Sequence, residues 1–332
     1  MSSPAHAAPA PRDWAMLAQR LSLPAVWLAL VILFGILEPD TFLTSRNMAN
    51  ILGSQAVIVV LTLGILIPLT AGDFDLSVAF NLTLSAMLIA ILNVEHEVPI
   101  VLAILVALGV GALIGTINGA LVVLLGIDSL IVTLGTGTFI GGTVLWVSDS
   151  NTISGVSQSL VDLVIVHRIF GIPLEFFYGL GLCVAIWYVF EFTPLGRRML
   201  FVGRGRNVAR LAGVRVNRLR WGALIVSGVI SALAGALYAG TTGAADPTSG
   251  TSFLLPAFAA AFLGSTTIMP GRFNPWGALI AVYTLATGIT GLQLLGVPSF
   301  VQNLFYGGAL VIAVALSQLA RRREARDADL AG

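Results

Sequence analysis

The residues able to do chemistry in this chain are few, and most stand alone. Its three histidines, His6, His96 and His167, fall in tails or loops far from one another, and its single cysteine, Cys183, sits inside an apolar run. An intrachain disulfide and a thiolate metal cluster are therefore excluded. There is no paired-histidine zinc motif and no Gly-x-Ser-x-Gly elbow, and no lysine is available to complete a Walker-type phosphate loop. Two polar interruptions remain. One is Gly72-Asp73-Phe74-Asp75-Leu76-Ser77; the other is Asp246-Pro247-Thr248-Ser249-Gly250-Thr251-Ser252. Carboxylates at membrane depth are costly and usually serve function. An Asp followed two residues later by Ser, ahead of an apolar run, also reads as a helix start, with Asp75 or Ser77 as its cap. Both readings stand for Asp75. Asn81 and Asn118 lie within apolar runs, where each amide pins helices together or lines a wet path; pinning is the plainer reading.

A third segment is basic: Thr193-Pro194-Leu195-Gly196-Arg197-Arg198, then Gly203 through Val214. Asn207 is a suitable N-cap and Gly213 a suitable C′ residue, which frames a helix of under two turns. So short a helix does not persist alone and must be held by the rest of the chain or by a partner. A solvated basic loop would explain the arginines but not the frame.

The elements that position these segments follow from composition. The chain of 332 residues is 57% hydrophobic and 10% charged, with a mean hydropathy of +0.95, against roughly 25% charged residues in soluble domains. That excludes a soluble enzyme, a DNA-binding protein and a secreted disulfide scaffold. Ten apolar runs fall near 24–37, 50–71, 76–92, 99–125, 129–147, 173–191, 221–241, 252–268, 276–296 and 298–319. They read as helices, because Val57 to Leu69 and Val101 to Val110 do not alternate as barrel strands would. With the N-terminus inside, 15 of the 17 arginines lie on the cytoplasmic side; only Arg46 and Arg168 lie outside. The expectation is an all-α membrane protein of about ten transmembrane helices with both termini cytoplasmic.

Residues 1–23 read as a disordered cytoplasmic segment, 24–319 as the membrane domain with a cytoplasmic loop at 192–220, and 320–332 as a basic tail. No cleavage site follows the first apolar run, so it reads as an uncleaved span. Split five and five, the runs form two halves of opposite direction, with the polar interruptions before the third and eighth. Interrupted helices at matching places in inverted halves point to a substrate path. Small residues at every fourth position, Gly111, Gly115 and Gly119, then Gly228, Ala232, Ala236 and Gly240, allow close helix packing.

From about Asn47 to Leu319 the chain resembles the membrane-spanning permease subunits of bacterial ATP-binding-cassette importers, in particular the ribose-type group. Gly72 to Val78 is similar to that family's Gly-Gly-Ile-Asp-Leu-Ser-Val-Gly signature. Asn118-Gly119 and Thr133-Leu134-Gly135-Thr136 resemble two further elements, as do Asn207 to Val214, Gly264-Ser265-Thr266, Gly271-Arg272 and Gly291 to Val297. The chain departs from the pattern at Asp73, Ala79, Ser265 and Pro270; Asp73 stands where the signature has glycine.

The resemblance implies a bacterial inner-membrane permease for a monosaccharide or similar polyol. ATP would be bound and hydrolysed by separate cytoplasmic ATPase subunits, with no cofactor in this chain. An extracytoplasmic sugar-binding protein would deliver cargo, and a second copy or a sister permease would complete the pair; no nucleic acid is involved. Arg206, Asn207, Ala209, Arg210, Leu211 and Gly213 would couple to the ATPase, while Asp75, Ser77, Asn81 and Asn118 would line the path. The main alternative is an ion-coupled secondary transporter with Asp73 and Asp75 as its ion site; a non-transporting membrane scaffold is a third.

Overall fold

A computed structural model describes the backbone of residues 12–331, with side chains at Leu17 and from Gln19 to Ala315. Helices dominate because the apolar runs leave the backbone no other hydrogen-bond partners. In chain order they are α1 Arg12–Leu37, α2 Ser45–Ser54, α3 Ala56–Thr70, α4 Val78–Ala90, α5 Ile100–Val123, α6 Ser129–Val147 and α7 Gln158–Val161. There follow α8 Leu174–Phe192, α9 Pro194–Arg204, α10 Arg206–Leu211, α11 Val216–Thr242, α12 Thr251–Gly264, α13 Pro275–Leu294 and α14 Phe300–Ala331. Two antiparallel pairs of two-residue strands complete the fold, β1 Ile153–Ser154 with β4 Ala244–Ala245 and β2 Arg168–Ile169 with β3 Ile172–Pro173.

Among the described residues, eight helical stretches are long and apolar enough to cross a membrane; Thr251–Gly264 and Phe300–Ala315 are shorter apolar helices. Residues 12–23 are not irregular but form the first turns of α1, and α14 continues through the basic tail to Ala331; residues 1–11 lie outside the described residues.

Burial divides the helices into a centre and a rim. Every residue of α3 is buried, which matches its apolar character on all sides. Around it pack α4, α8, α11, α12 and α13. The outer faces of α5 and α6 expose large apolar side chains such as Val101, Phe139 and Trp146, the surface that lipid would cover.

The small-residue stripes act where backbones meet. A Cβ at Gly228 would run into the Gly111 carbonyl, and one at Gly111 would come within 2.5 Å of the Gly228 carbonyl. One turn along, Gly115 faces Leu224 and Ile225 in the same way, and Gly119 lies under the Trp221 ring. That indole donates to the Thr116 carbonyl at 3.1 Å. Gly111, Gly115 and Gly119 are thus spent on α11, within this chain.

Contacts gather the termini of the helices at two ends of the bundle. At one end, Thr267 Oγ1 donates to the Arg20 carbonyl at 2.8 Å, Arg272 pairs with Glu191 at 2.7 Å, and Arg206 and Arg220 meet Asp73. At the other, Ser157 N–H donates to Asn93 Oδ1 at 2.8 Å, Thr241 Oγ1 donates to Glu175 Oε2 at 2.8 Å, and β1 pairs with β4.

The α5–α11 contact predicts opposite effects for one substitution at two glycines. Gly228→Ala inserts a methyl group against a backbone carbonyl that cannot move aside, and should destabilise the detergent-solubilised protein by on the order of 1–3 kcal/mol. Gly109, on the same α5, has nothing within 4 Å of its Cβ position, so Gly109→Ala should be neutral or gain up to about 1 kcal/mol of helix propensity. Thermal unfolding followed by size exclusion separates the two.

Candidate functional site

The polar break between α3 and α4 is built residue by residue. After Pro68, α3 closes with Gly72 at φ +82°: Gly72 N–H donates to Leu69 O at 3.1 Å and Asp73 N–H to Pro68 O at 2.9 Å. This paired 5→2 and 6→1 pattern satisfies the last carbonyls of the helix, and its left-handed position suits glycine. The extended segment that follows needs partners for its amides. Ser129 Oγ accepts from Phe74 N–H and Thr133 Oγ1 from Leu76 N–H, each at 3.0 Å, both from the first turns of α6.

Asp75, Ser77, Asn81 and Asn118 come together, each 2% exposed or less. Ser77 donates to Asp75 Oδ1 through its hydroxyl at 2.6 Å and its N–H at 3.1 Å, and Asn118 Nδ2 donates to Ser77 Oγ at 2.9 Å. Asn81 Nδ2 donates to the Gly228 carbonyl at 2.8 Å, with Ser85 Oγ reaching Asn81 Oδ1 at 3.4 Å. Ser227 of α11 also faces Asp75. Asn81 therefore pins α4 to α11, and Asn118 pins α5 to the start of α4. Ser77 holds the N-cap position of α4 but makes no capping bond; its hydroxyl goes to Asp75 instead. The four residues form a sealed polar seam. Asn118 also borders a cavity of about 270 Å³ between α4, α5 and α6, walled by apolar residues with Thr136 and Thr143.

Asp73 turns the other way, toward the basic segment, and is 1% exposed. Arg220, in the first turns of α11, grips it with two bonds, Nε to Oδ2 and Nη2 to Oδ1, both at 2.7 Å. Arg206, at the start of α10, donates through Nη2 to Asp73 Oδ1 at 2.8 Å and to the Gly72 carbonyl at 2.6 Å.

The basic segment is structured throughout. Thr193 caps α9 by accepting from Gly196 N–H at 3.3 Å, with Pro194 in the first turn. Gly203 lies so close to α3 that a Cβ there would meet the Thr70 carbonyl. The mini-helix spans Arg206–Leu211, and its N-cap is Gly205, in extended backbone at φ −175° with no side-chain cap. Asn207, the expected cap, lies inside the helix, because the Arg206 tether sets where the first turn begins. Gly213 does close it, at φ +79°, with Val214 N–H donating to Ala209 O and Gly213 N–H to Arg210 O, each at 3.0 Å. Ala209 is fully buried in a cluster with Val202 and Val216, so it holds the helix to this chain and offers nothing outward. Asn207, Arg210 and Gly213 are exposed. Leu211 is 89% exposed and Val208 60%.

The second break meets the first. Asp246 Oδ1 accepts from Thr248 N–H at 2.8 Å and Thr248 Oγ1 at 2.7 Å, and Oδ2 accepts from Thr152 Oγ1 at 3.0 Å. The bonds from Thr248 hold its carboxyl below the usual carboxylate range. Gly250 then reaches the first turns of α4, where a Cβ would run into Ala79 O and Thr83 Oγ1. From there α12 runs along the first break, with the Phe258 and Phe262 rings stacked on Phe74 at 6.4 Å each. A cavity of about 500 Å³ opens at the arginine end beside Gly72, Phe74, Arg204, Phe262 and Arg272. Ser129, Arg220, Ser227, Phe258 and Phe262 are participants that sequence reasoning missed; Phe74 and Thr133 lay in motifs named above, without a role. Among the described residues, no group of three His, Cys, Asp or Glu side chains could hold a metal.

Comparison with known proteins places this architecture. Residues 47–314 match the family described as the permease component of branched-chain amino acid transport systems, and the chain belongs to that family. The ribose import permease protein of Bacillus subtilis (strain 168) is 36% identical over 290 residues, 87% of this chain and 89% of the relative. The D-allose transport system permease protein of Escherichia coli (strain K12) is 32% identical over the same length and the same shares. The autoinducer 2 import system permease protein of Salmonella typhimurium (strain LT2) is 27% identical over 308 residues, 91% of this chain and 92% of the relative. The chain is a transmembrane permease component of the ribose type. No solved structure matches it.

The seam yields its own prediction. Ser77→Ala removes both the donor to Asp75 and the acceptor for Asn118, leaving buried groups unpaired at about 1–3 kcal/mol. Thr138→Ala, at an exposed hydroxyl bonded only within its own helix, should stay within about 0.5 kcal/mol of wild type. Thermal unfolding in one detergent tests the contrast.

Proposed function

We propose that this permease component moves a neutral monosaccharide or similar polyol into the cytoplasm, driven by ATP hydrolysis on separate ATPase subunits that seat on α10. The observation that carries the reading is the outward face of that helix. Val208 and Leu211 stand exposed on a short helix held by Ala209 and Arg206, at the end where the arginines gather. Apolar side chains presented in this way on a rigid base mark a protein contact. Asn207, Arg210 and Gly213 share that exposed surface.

The arginine end is cytoplasmic under the positive-inside rule, which places both termini inside. Ten crossings then include α12, whose 14 residues rise only ~21 Å. Such a helix falls short of the hydrocarbon core, about 30 Å thick, and suits the broken-helix pattern of inverted five-helix halves. The membrane is the bacterial inner membrane. The opposite end, with residues 148–172, would receive cargo from an extracytoplasmic sugar-binding protein, and a second permease copy or a sister chain would complete the path.

A neutral cargo fits a seam of amides and hydroxyls around Asp75, while the second acidic residue of the break, Asp73, lies outside the seam and is paired with two arginines. The names of the relatives, which specify ribose, D-allose and autoinducer 2, support the polyhydroxylated class. An ion-coupled carrier would use Asp73 and Asp75 together, and the two guanidinium groups already occupy both oxygens of Asp73, which leaves Asp75 as the one carboxylate of the pair without a cationic partner among the described residues.

The test is Val208→Glu together with Leu211→Glu, which changes only exposed positions. Wild type, tagged and purified from its own cells, should bring down an ATPase, while the double variant should lose both the ATPase and D-ribose or D-allose uptake with its thermal unfolding unchanged. If wild type captures no ATPase and uptake collapses with the proton or sodium gradient, the importer reading fails.

A further inference from the structure

The ATPase contact and the polar seam are both surfaces of one chain, and a single side chain joins them. We infer that Asp73 is the positioning residue that transmits movement of α10 to the α3–α4 break, and through it to the Asp75–Ser77–Asn118 seam. The inference rests on the proposed ATPase docking at α10 and assigns the connection that docking requires.

The connection is continuous. Arg206 belongs to α10 itself and is 41% exposed on its side chain, yet its guanidinium ends on Asp73 Oδ1 and on the carbonyl of Gly72. Arg220 holds the same carboxylate in a two-bond fork from α11, 12% exposed. Asp73 therefore takes charge from two elements, one mobile with α10 and one fixed in a long buried helix. Gly203 adds a backbone stop, since its Cα rests 3.7 Å from the Cβ position of Gly72.

Beyond Asp73 the chain has little slack. Phe74 and Leu76 are tied to Ser129 and Thr133 of α6, and Asp75 and Ser77 lead directly to Asn118 of α5. A displacement of Arg206 must either break its bonds to Asp73 and Gly72 or draw the break with it. Glycine, which stands here in the resembling signature, would offer Arg206 only the backbone carbonyl and give Arg220 no counter-ion.

The buried Cys183 is the chain's sole cysteine, so a single introduced thiol reports cleanly. In the complex purified through a tag on this chain, Phe74→Cys places a thiol at the cavity beside the break. Its alkylation by a hydrophilic maleimide is compared before and after trapping the ATPase with ATP and vanadate. With Asp73 intact, trapping should change the alkylation rate about fivefold or more. With Asp73→Asn the change should vanish although bound nucleotide is still trapped.

Arg206→Gln is the companion variant. It leaves the buried Asp73–Arg220 pair whole, so loss of the response there cannot be laid to misfolding around an unpaired charge. An equal response in wild-type and Asp73→Asn backgrounds, or no response with Asp73 intact, overturns the inference. Absence of any captured ATPase from wild type instead overturns the docking reading on which it rests.

Discussion

A carboxylate that is 1% exposed is costly to bury unless the fold brings partners to it, and Asp73 is met by two arginines. The desolvation cost of such a group is not small, and replacing buried ion pairs by apolar residues is often neutral or stabilising. What the pair secures is position. Arg220 lies 147 residues from Asp73 in sequence and Arg206 lies 133, so satisfying this one carboxylate fixes the end of α3, the start of α10 and the first turns of α11 against one another. The planar fork of Arg220 sets direction as well as distance, which a lysine's point charge would not. A chain without lysine has that geometry available at every cation.

The same logic governs the uncharged part of the break. Irregular backbone inside a membrane protein is tolerated only where protein or trapped water satisfies it. The amides of Phe74 and Leu76 meet hydroxyls one helical turn apart on α6, and the carbonyls ending α3 are closed by Gly72 and Asp73. Gly250 permits the second break to come down onto α4, and a side chain there would push α12 away from Phe74. The two interruptions are therefore one structure, held by hydrogen bonds on one side and by a glycine contact and stacked rings on the other.

Much of this was legible in the sequence because it is periodic or compositional. Apolar runs gave the helices, arginine placement gave their grouping at one end, and the Gly111–Gly115–Gly119 stripe gave a close contact whose partner proved to be α11. Long-range pairing was not legible, since nothing local marks Arg220 rather than Arg218 as the residue that finds Asp73. The inward turn of Ala209 was hidden too: a helix of six residues has too few turns to display an apolar face. Asn207 has the stronger capping propensity, but over glycine that preference is worth only a few tenths of a kcal/mol, so an anchored Arg206 outweighs it and the cap falls to Gly205. Residues 12–23 carry Arg12 and Arg20 and read as solvated, yet they form the first turns of α1, whose apolar part is fixed elsewhere.

The seam itself is unevenly bonded, and that unevenness bears on how it opens. Ser77, Asp75 and Asn118 are joined by short bonds of 2.6 and 2.9 Å, whereas Ser85 reaches Asn81 at 3.4 Å and Asn118 Oδ1 accepts from no group among the described residues. A polar network with every site filled would resist change, while one with spare capacity can exchange partners at low cost. The Asp73 cluster is the reverse, with charge-assisted bonds of 2.6–2.8 Å on every side. Force applied at α10 meets strong bonds first and weak ones last. The clamp should then move as a body, and rearrangement should begin in the seam beyond it, where Asn118 Oδ1 has capacity to spare, rather than at Asn81, whose 2.8 Å bond to the Gly228 carbonyl pins α4 to α11.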